Sequence, residues 1–260
     1  MASEIAERFE ELVSIVSKLR APEGCPWDRE QTSESLLPYF LEEAYELIES
    51  VDRKDWQNLK EELGDILLHV VFQAVIAESD EKFKLVDSLK NINEKLVRRH
   101  PHVFSNTRAA GPFHAKQNWE AAKHREKQRY SRLDGVPVTL PALIRAQRLQ
   151  QKASYAGFDW DQVEDVWEKI HEEIKELKSA QQNGDKSQRE GEIGDVLFAV
   201  VNLARFLDIS AEDALRRTNQ KFMNRFRGIE LELKRRGKKP EDSTLEEMDE
   251  IWNQVKSRES

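Results

Sequence analysis

Cysteine is almost absent. The single thiol, Cys25, excludes a disulfide framework and any cysteine-rich metal site within the chain. Glycine and proline are scarce too, at ten and eight, too few for the turns of a loop-rich β protein. No run approaches the ~18 apolar residues of a membrane-spanning helix. The opening MASEIAERFEELVSI is acidic and amphipathic, without the apolar region of a signal peptide. A cytoplasmic protein with no membrane partner is expected. Positive charge is in deficit, since 49 acidic residues outnumber 41 basic ones and leave a net charge of −8. That balance disfavours a protein that grips nucleic-acid backbones, and it leaves room for a divalent-cation site.

Charged residues make up 35% of the chain, above the globular norm of ~25%. Such chains are helix-rich with solvated faces, or disordered. Six Trp and eleven Phe supply core volume and argue against disorder. The periodicity is helical. Ile5, Phe9, Leu12, Val16 and Leu19 recur near a period of 3.6 over residues 4–19. Further helices are expected over 36–51, 56–77 and 82–99, then 139–153, 162–182, 188–206, 211–235 and 244–257. Along 56–77, Leu59, Leu63, Ile66 and Val70 are expected to form one buried apolar line. No strand-like alternation persists, so the fold is expected to be all-α.

The chain repeats itself. Glu42-Glu43-Ala44-Tyr45-Glu46 and Glu62-Leu63-Gly64-Asp65 return as Glu172-Glu173-Ile174-Lys175-Glu176 and Glu192-Ile193-Gly194-Asp195, at a constant offset of 130. Both copies read EExxE and then ExxD. Upstream, Gly24-x-x-Trp27-Asp28 pairs with Gly157-x-x-Trp160-Asp161; downstream, Asn93, Lys95 and Arg99 pair with Asn219, Lys221 and Arg225. Several blocks in one order point to two tandem homologous helical bundles, at 1–125 and 140–260. The linker, 126–139, contains Gly135 and Pro137.

The carboxylates carry the chemistry. Glu43 with Glu46, and Glu62 with Asp65, stand three apart, so each pair shares one face of a helix. Antiparallel packing of the two helices brings four acids together. Four like charges at close range need cations, and ligands that are all oxygen point to Mg²⁺, with Mn²⁺ as a substitute. A lone EExxE is weak, because acidic helix faces are usually just solvated. The ExxD acids stand beside an apolar run, which solvated acids do not. Gly64 and Gly194, between the two acids of each ExxD, cost helix stability, and close helix approach or room for a ligand would explain both.

The ordered set resembles the MazG family, the all-α nucleoside triphosphate pyrophosphohydrolases, in its two-domain bacterial form. The resemblance also rests on Gly24-Cys25-Pro26-Trp27-Asp28, Gln31-Thr32, Arg98 to Phe104, Gly157 to Asp161, and Asn219-x-Lys221-Phe222. It covers almost the whole chain. It implies a Mg²⁺-dependent enzyme that cleaves NTPs and dNTPs between the α- and β-phosphates, leaving a monophosphate and pyrophosphate. It also implies a homodimer in which the C-terminal half does most of the work. The metal ligands it implies there are Glu173, Glu176, Glu192 and Asp195; Glu43, Glu46, Glu62 and Asp65 are their counterparts in the first half. Lys169, Lys221, Arg225 and Trp252 are the implied nucleotide contacts. The place of a relative's phosphate-contacting lysine is taken by Gln188, with Lys186 and Arg189 nearby. Glu172, next to the ligands, is placed to orient or deprotonate an attacking water. Trp252 offers a flat surface for any base, although a core or interface aromatic would look the same in sequence. Lys169 reads equally as an i,i+4 ion pair with Glu173. The first half has Tyr39 at that place, and His69 where the second has Ala199; weak metal binding and slow turnover are expected of it.

Three rival readings share these motifs. One is a sanitiser restricted to dNTPs or modified nucleotides. Another is a non-enzymatic dimerisation or adaptor protein. The third is a metal-dependent nuclease or phosphodiesterase, for which the basic clusters are too short.

Overall fold

The computed structural model describes residues 2–105, 111–126 and 130–258. These form α-helices, one 3₁₀ turn and no strand, so the fold is all-α. The chain divides into two compact units, Met1–Gly111 and Pro112–Ser260.

The first unit contains α1 (Ala2–Arg20), α2 (Pro26–Glu30), α3 (Leu37–Arg53), α4 (Trp56–Ser79), α5 (Leu85–Arg99) and α6 (Pro101–Phe104). Only Lys54 and Asp55 separate α3 from α4, and so short a connection makes the two helices antiparallel neighbours. Lys54 turns the chain in the left-handed region at φ 56°, and Asp55 caps α4 by accepting the Asn58 N–H at 3.1 Å. The core joins Val16 of α1 and Leu36 before α3 to Val71, Phe72 and Ile76 of α4. The apolar line expected on α4 is covered only in part, since Leu59 and Ile66 are half-buried and Leu63 and Val70 are exposed. Leu63 is 49% exposed and Val70 46%, while the residues of α4 buried with Val16 of α1 are Val71, Phe72 and Ile76.

The second unit contains α7 (Pro112–Glu126), α8 (Ala142–Tyr155), α9 (Val163–Asn183), α10 (Lys186–Phe206), α11 (Ala211–Arg235) and α12 (Leu245–Ser257), with a 3₁₀ turn at Pro240–Asp242. Helix α7 packs on α8. Its buried Glu120 lies 3.4 Å from the Lys152 Nζ and 3.3 Å from Arg148. Of the expected 126–139 linker, residues 127–129 lie outside the described residues. Helices α9 and α10 repeat the α3–α4 hairpin, joined through Gly184 and Asp185. Asp185 and Gln188 form a reciprocal capping box, at 2.9 and 3.0 Å. One core joins Val166 and Ile170 of α9 to Ala199 and Leu203 of α10; another joins Ile229 and Leu233 of α11 to Ile251 of α12.

Candidate active site

Each hairpin brings its acids together. In the second unit, Glu173 and Glu176 of α9 and Glu192 of α10 have carboxylate oxygens within 4.8 Å of one another. Asp195, one turn beyond Glu192, stands outside that trio but lines the same cavity as Glu173. In the first unit the trio is Glu43, Glu62 and Asp65. Glu46 stands outside it, yet its charge acts on both Glu43 and Glu62. So three of four expected ligands meet in each hairpin, and the fourth differs between them.

Crowding shows in the proton affinities. Burial, then the charges of Asp65 and Glu46, push Glu43 above the usual carboxylate range. Burial, then Glu46 and a hydrogen bond with Glu43, push Glu62 up as well. Glu176 is raised by burial and by Glu173, Glu192 and Glu172, while Lys169 pulls it back. Lys169 is the main difference between the hairpins. Its Nζ lies 2.8 Å from Glu173 and 3.0 Å from Glu172, and those hydrogen bonds hold its pKa above the ordinary lysine value. Tyr39, at the corresponding place, packs edge-on against Trp27 instead. His69 shows no bond to Asp65; burial lowers its pKa, and its ring packs edge-on to Phe40.

A cavity of about 540 Å³ adjoins the second nest. Lys169, Glu173 and Asp195 line it together with Phe158, Trp160, Phe198, Gln150, Asn202 and Arg205. Trp160 falls within the Gly157–Asp161 motif, whereas Gln150, Asn202 and Arg205 belong to no motif. A signal was present for Asn202, which stands seven after Asp195 and so on the same helix face.

The remaining expected contacts lie elsewhere in the unit. Arg225 stacks over the Trp252 ring, 5.3 Å from its centroid, and Phe222 approaches the same ring at 5.4 Å. Trp252 packs against the Ile229–Leu233–Ile251 cluster. Lys221 is exposed. Arg189 Nε donates to the Asp185 carbonyl at 3.2 Å, and Gln188 is spent in the cap of α10. None of Arg189, Lys221, Arg225 and Trp252 lines the cavity.

Fold and site together define a tandem all-α protein whose paired helices gather carboxylates, suited to a divalent cation. The sequence matches the MazG nucleotide pyrophosphohydrolase domain twice, at residues 31–104 and 162–228, and the chain belongs to that family. It is 48% identical over 250 residues to the nucleoside triphosphate pyrophosphohydrolase/pyrophosphatase MazG of Thermotoga maritima, covering 95% of both chains. It is 43% identical over 258 residues to the nucleoside triphosphate pyrophosphohydrolase of Escherichia coli K12, covering 97% of this chain and 98% of the relative. The Bacillus subtilis protein YabN is 46% identical over 254 residues, which span 96% of this chain and 52% of that one.

Proposed function

We infer that this chain is an enzyme, a nucleoside triphosphate pyrophosphohydrolase that splits NTPs and dNTPs between the α- and β-phosphates. The observation that carries the reading is the Glu173–Glu176–Glu192 nest, whose Glu173 also lines a ligand-sized cavity. The names of the Thermotoga and Escherichia relatives point the same way.

Glu173, Glu176, Glu192 and Asp195 are the residues that would hold Mg²⁺ or Mn²⁺. The donors fit such an ion: all are carboxylate oxygens, and Glu173 already accepts a cation in the form of the Lys169 ammonium. A bound metal would supply charge neutralisation for the triphosphate and acidify an attacking water. Glu172, largely exposed beside the nest, would accept the attacking water's proton. Lys169 exchanges its carboxylate partners for a phosphate oxygen. Lys221 and Arg225, four apart on α11, serve the phosphate tail, and Trp252 positions Arg225 through the stacked contact. Arg189, at the start of α10, is a further candidate for phosphate.

The Glu43, Glu46, Glu62 and Asp65 set is proposed as a second, weaker metal site, since no lysine stands at Tyr39. The active form is proposed to be a homodimer. Matching positions of the two hairpins, Leu63 and Ile193, Leu67 and Leu197, Val70 and Val200, all remain 45% to 52% exposed. A Cβ added at Gly64 or Gly194 on those helices meets no atom within 4 Å. A second copy would cover both faces. Among the described residues no helix is long and apolar enough to cross a membrane.

Pyrophosphate release from NTPs and dNTPs, with Mg²⁺ and with chelator, tests the reading. Release with Mg²⁺ alone is expected; no release from any nucleotide contradicts it.

A further inference from the structure

We propose that the first unit holds a binding site of its own, for a small uncharged aromatic molecule that carries an N–H or O–H donor. The site is the cavity between α3, α4 and the start of α5. It goes beyond the pyrophosphohydrolase reading and does not rest on it.

The two hairpins exchange core and cavity. At the constant offset of 130, Ile170, Ala199 and Leu203 of the second unit correspond to Phe40, His69 and Gln73 of the first. In the second unit these three side chains are buried together in the α9–α10 core. In the first they line a cavity of about 440 Å³. The other flank is reversed. Asn202 and Arg205 line the second unit's cavity, whereas their counterparts Phe72 and Val75 pack in the first unit's core. Arg20 covers that flank as well. Its guanidinium lies 5.5 Å from the Phe72 ring centroid, and its Nη1 donates to the Gln31 carbonyl at 3.0 Å.

Two exchanged positions are polar only where the cavity is. Burying Gln or His in place of Leu or Ala costs stability unless new hydrogen bonds replace those to water. Gln73 Nε2 donates to the Ser33 carbonyl at 2.9 Å. That bond orients the carboxamide, because turning it over sets oxygen against oxygen. Among the described residues nothing donates to the Gln73 Oε1. His69 is 9% exposed, and its Nδ1 is buried without a partner. Buried polar atoms in folded proteins are nearly always satisfied, so an unpartnered histidine on a cavity wall points to a ligand.

The walls set the class of that ligand. Leu37, Phe83 and Leu85 join Phe40 in a largely apolar lining, and the two aromatic rings suit a flat partner. Among the described residues no lysine or arginine lines the cavity, while Glu34 does. A phosphate or carboxylate would therefore be desolvated without a counter-charge. The volume is within the ~300–1,000 Å³ of ligand pockets. Gln73 Oε1 accepts the ligand's donor, and His69 faces a second polar group. Val70, on one wall, also belongs to the face proposed for the second copy, and a cavity filled by that copy would admit no ligand.

Calorimetric titration of the whole chain with indole, in chelator, tests the site. Indole is a flat apolar ring system with an N–H donor, and 1-methylindole lacks the donor. Indole is expected to bind, and 1-methylindole to bind about tenfold more weakly. Gln73→Leu, which installs the second unit's residue, is expected to weaken indole about tenfold and to erase the difference between the two probes. His69→Ala, the other exchange, is expected to weaken indole too. Equal binding of the two probes by the unaltered chain, or no indole binding, overturns the proposal whatever the variants do. So does undiminished indole binding by a Gln73→Leu chain whose thermal midpoint shows it folded, since the probe would then sit elsewhere.

Discussion

The ammonium of Lys169 lies 2.8 Å from the Glu173 carboxylate, four residues along α9, and that carboxylate belongs to the acidic nest. The pair places a built-in cation where a metal and a triphosphate are proposed to meet. Replacing Lys169 by Met removes the charge-assisted bond to phosphate proposed for it and should lower kcat/KM about tenfold to a hundredfold. It should also tighten Mg²⁺ binding in the absence of nucleotide, because the competing charge is gone. Steady-state kinetics with a Mg²⁺ titration measure both, and unchanged kcat/KM counts against the role.

At the proposed metal sites, proton and metal would compete for the same carboxylates. Glu43, Glu62 and Glu176 have folded-state values raised above the ordinary 4.5. A raised carboxylate pKa means that the folded protein binds more protons than the unfolded chain between 4.5 and the raised value. In that window these groups make the metal-free protein more stable as pH falls, and metal affinity falls with it. Thermal melts in chelator and Mg²⁺ titrations from pH 7 downward check the two signs; a metal affinity independent of pH would refute the second.

The two nests should not contribute equally. Glu62→Gln is expected to keep most turnover, and Glu192→Gln to lose it, while Glu176→Gln loses both turnover and metal affinity. Each substitution keeps volume and deletes a charge. If Glu62→Gln were the inactive variant, the division of labour between the units would be reversed.

Leu67 and Leu197, exposed at matching places on the two hairpins, should lie in the dimer contact. Light scattering of the unaltered chain should give twice its 30.3 kDa. The doubly substituted Leu67→Glu, Leu197→Glu chain should scatter as a monomer. A 30.3 kDa species for the unaltered chain contradicts the dimer.

Glu120 is buried between Lys152 and Arg148. Glu120→Gln leaves the buried Lys152 ammonium without its charge partner and should cost about 3–5 kcal/mol. Urea unfolding measures the loss, and a change below about 1 kcal/mol would mean the ammonium finds other partners.

Much of this was legible in sequence because it is local. Helix periodicity, the breaks at Lys54–Asp55 and Gly184–Asp185, and the i,i+3 spacing of the acids each lie within one turn of chain. Glu173 and Glu192 are joined by a short hairpin, so their meeting followed from the same information. What escaped was non-local. Gln150 reaches Phe198 across 48 residues, and Arg205 reaches Asp159 across 46, with no spacing rule to signal either. Which side of α4 is covered depends on non-local packing in the same way. Leu63 and Val70 are as apolar as Val71 and Phe72, and only the partners of the helix decide which face is covered.

Chromatography of the products formed from one dNTP with Mg²⁺ tests the central claim most directly. Equal amounts of deoxynucleoside monophosphate and pyrophosphate are expected, with no diphosphate intermediate, and neither product is expected from the Glu192→Gln chain. A diphosphate with orthophosphate, or undiminished products from Glu192→Gln, would contradict the proposed chemistry at this nest.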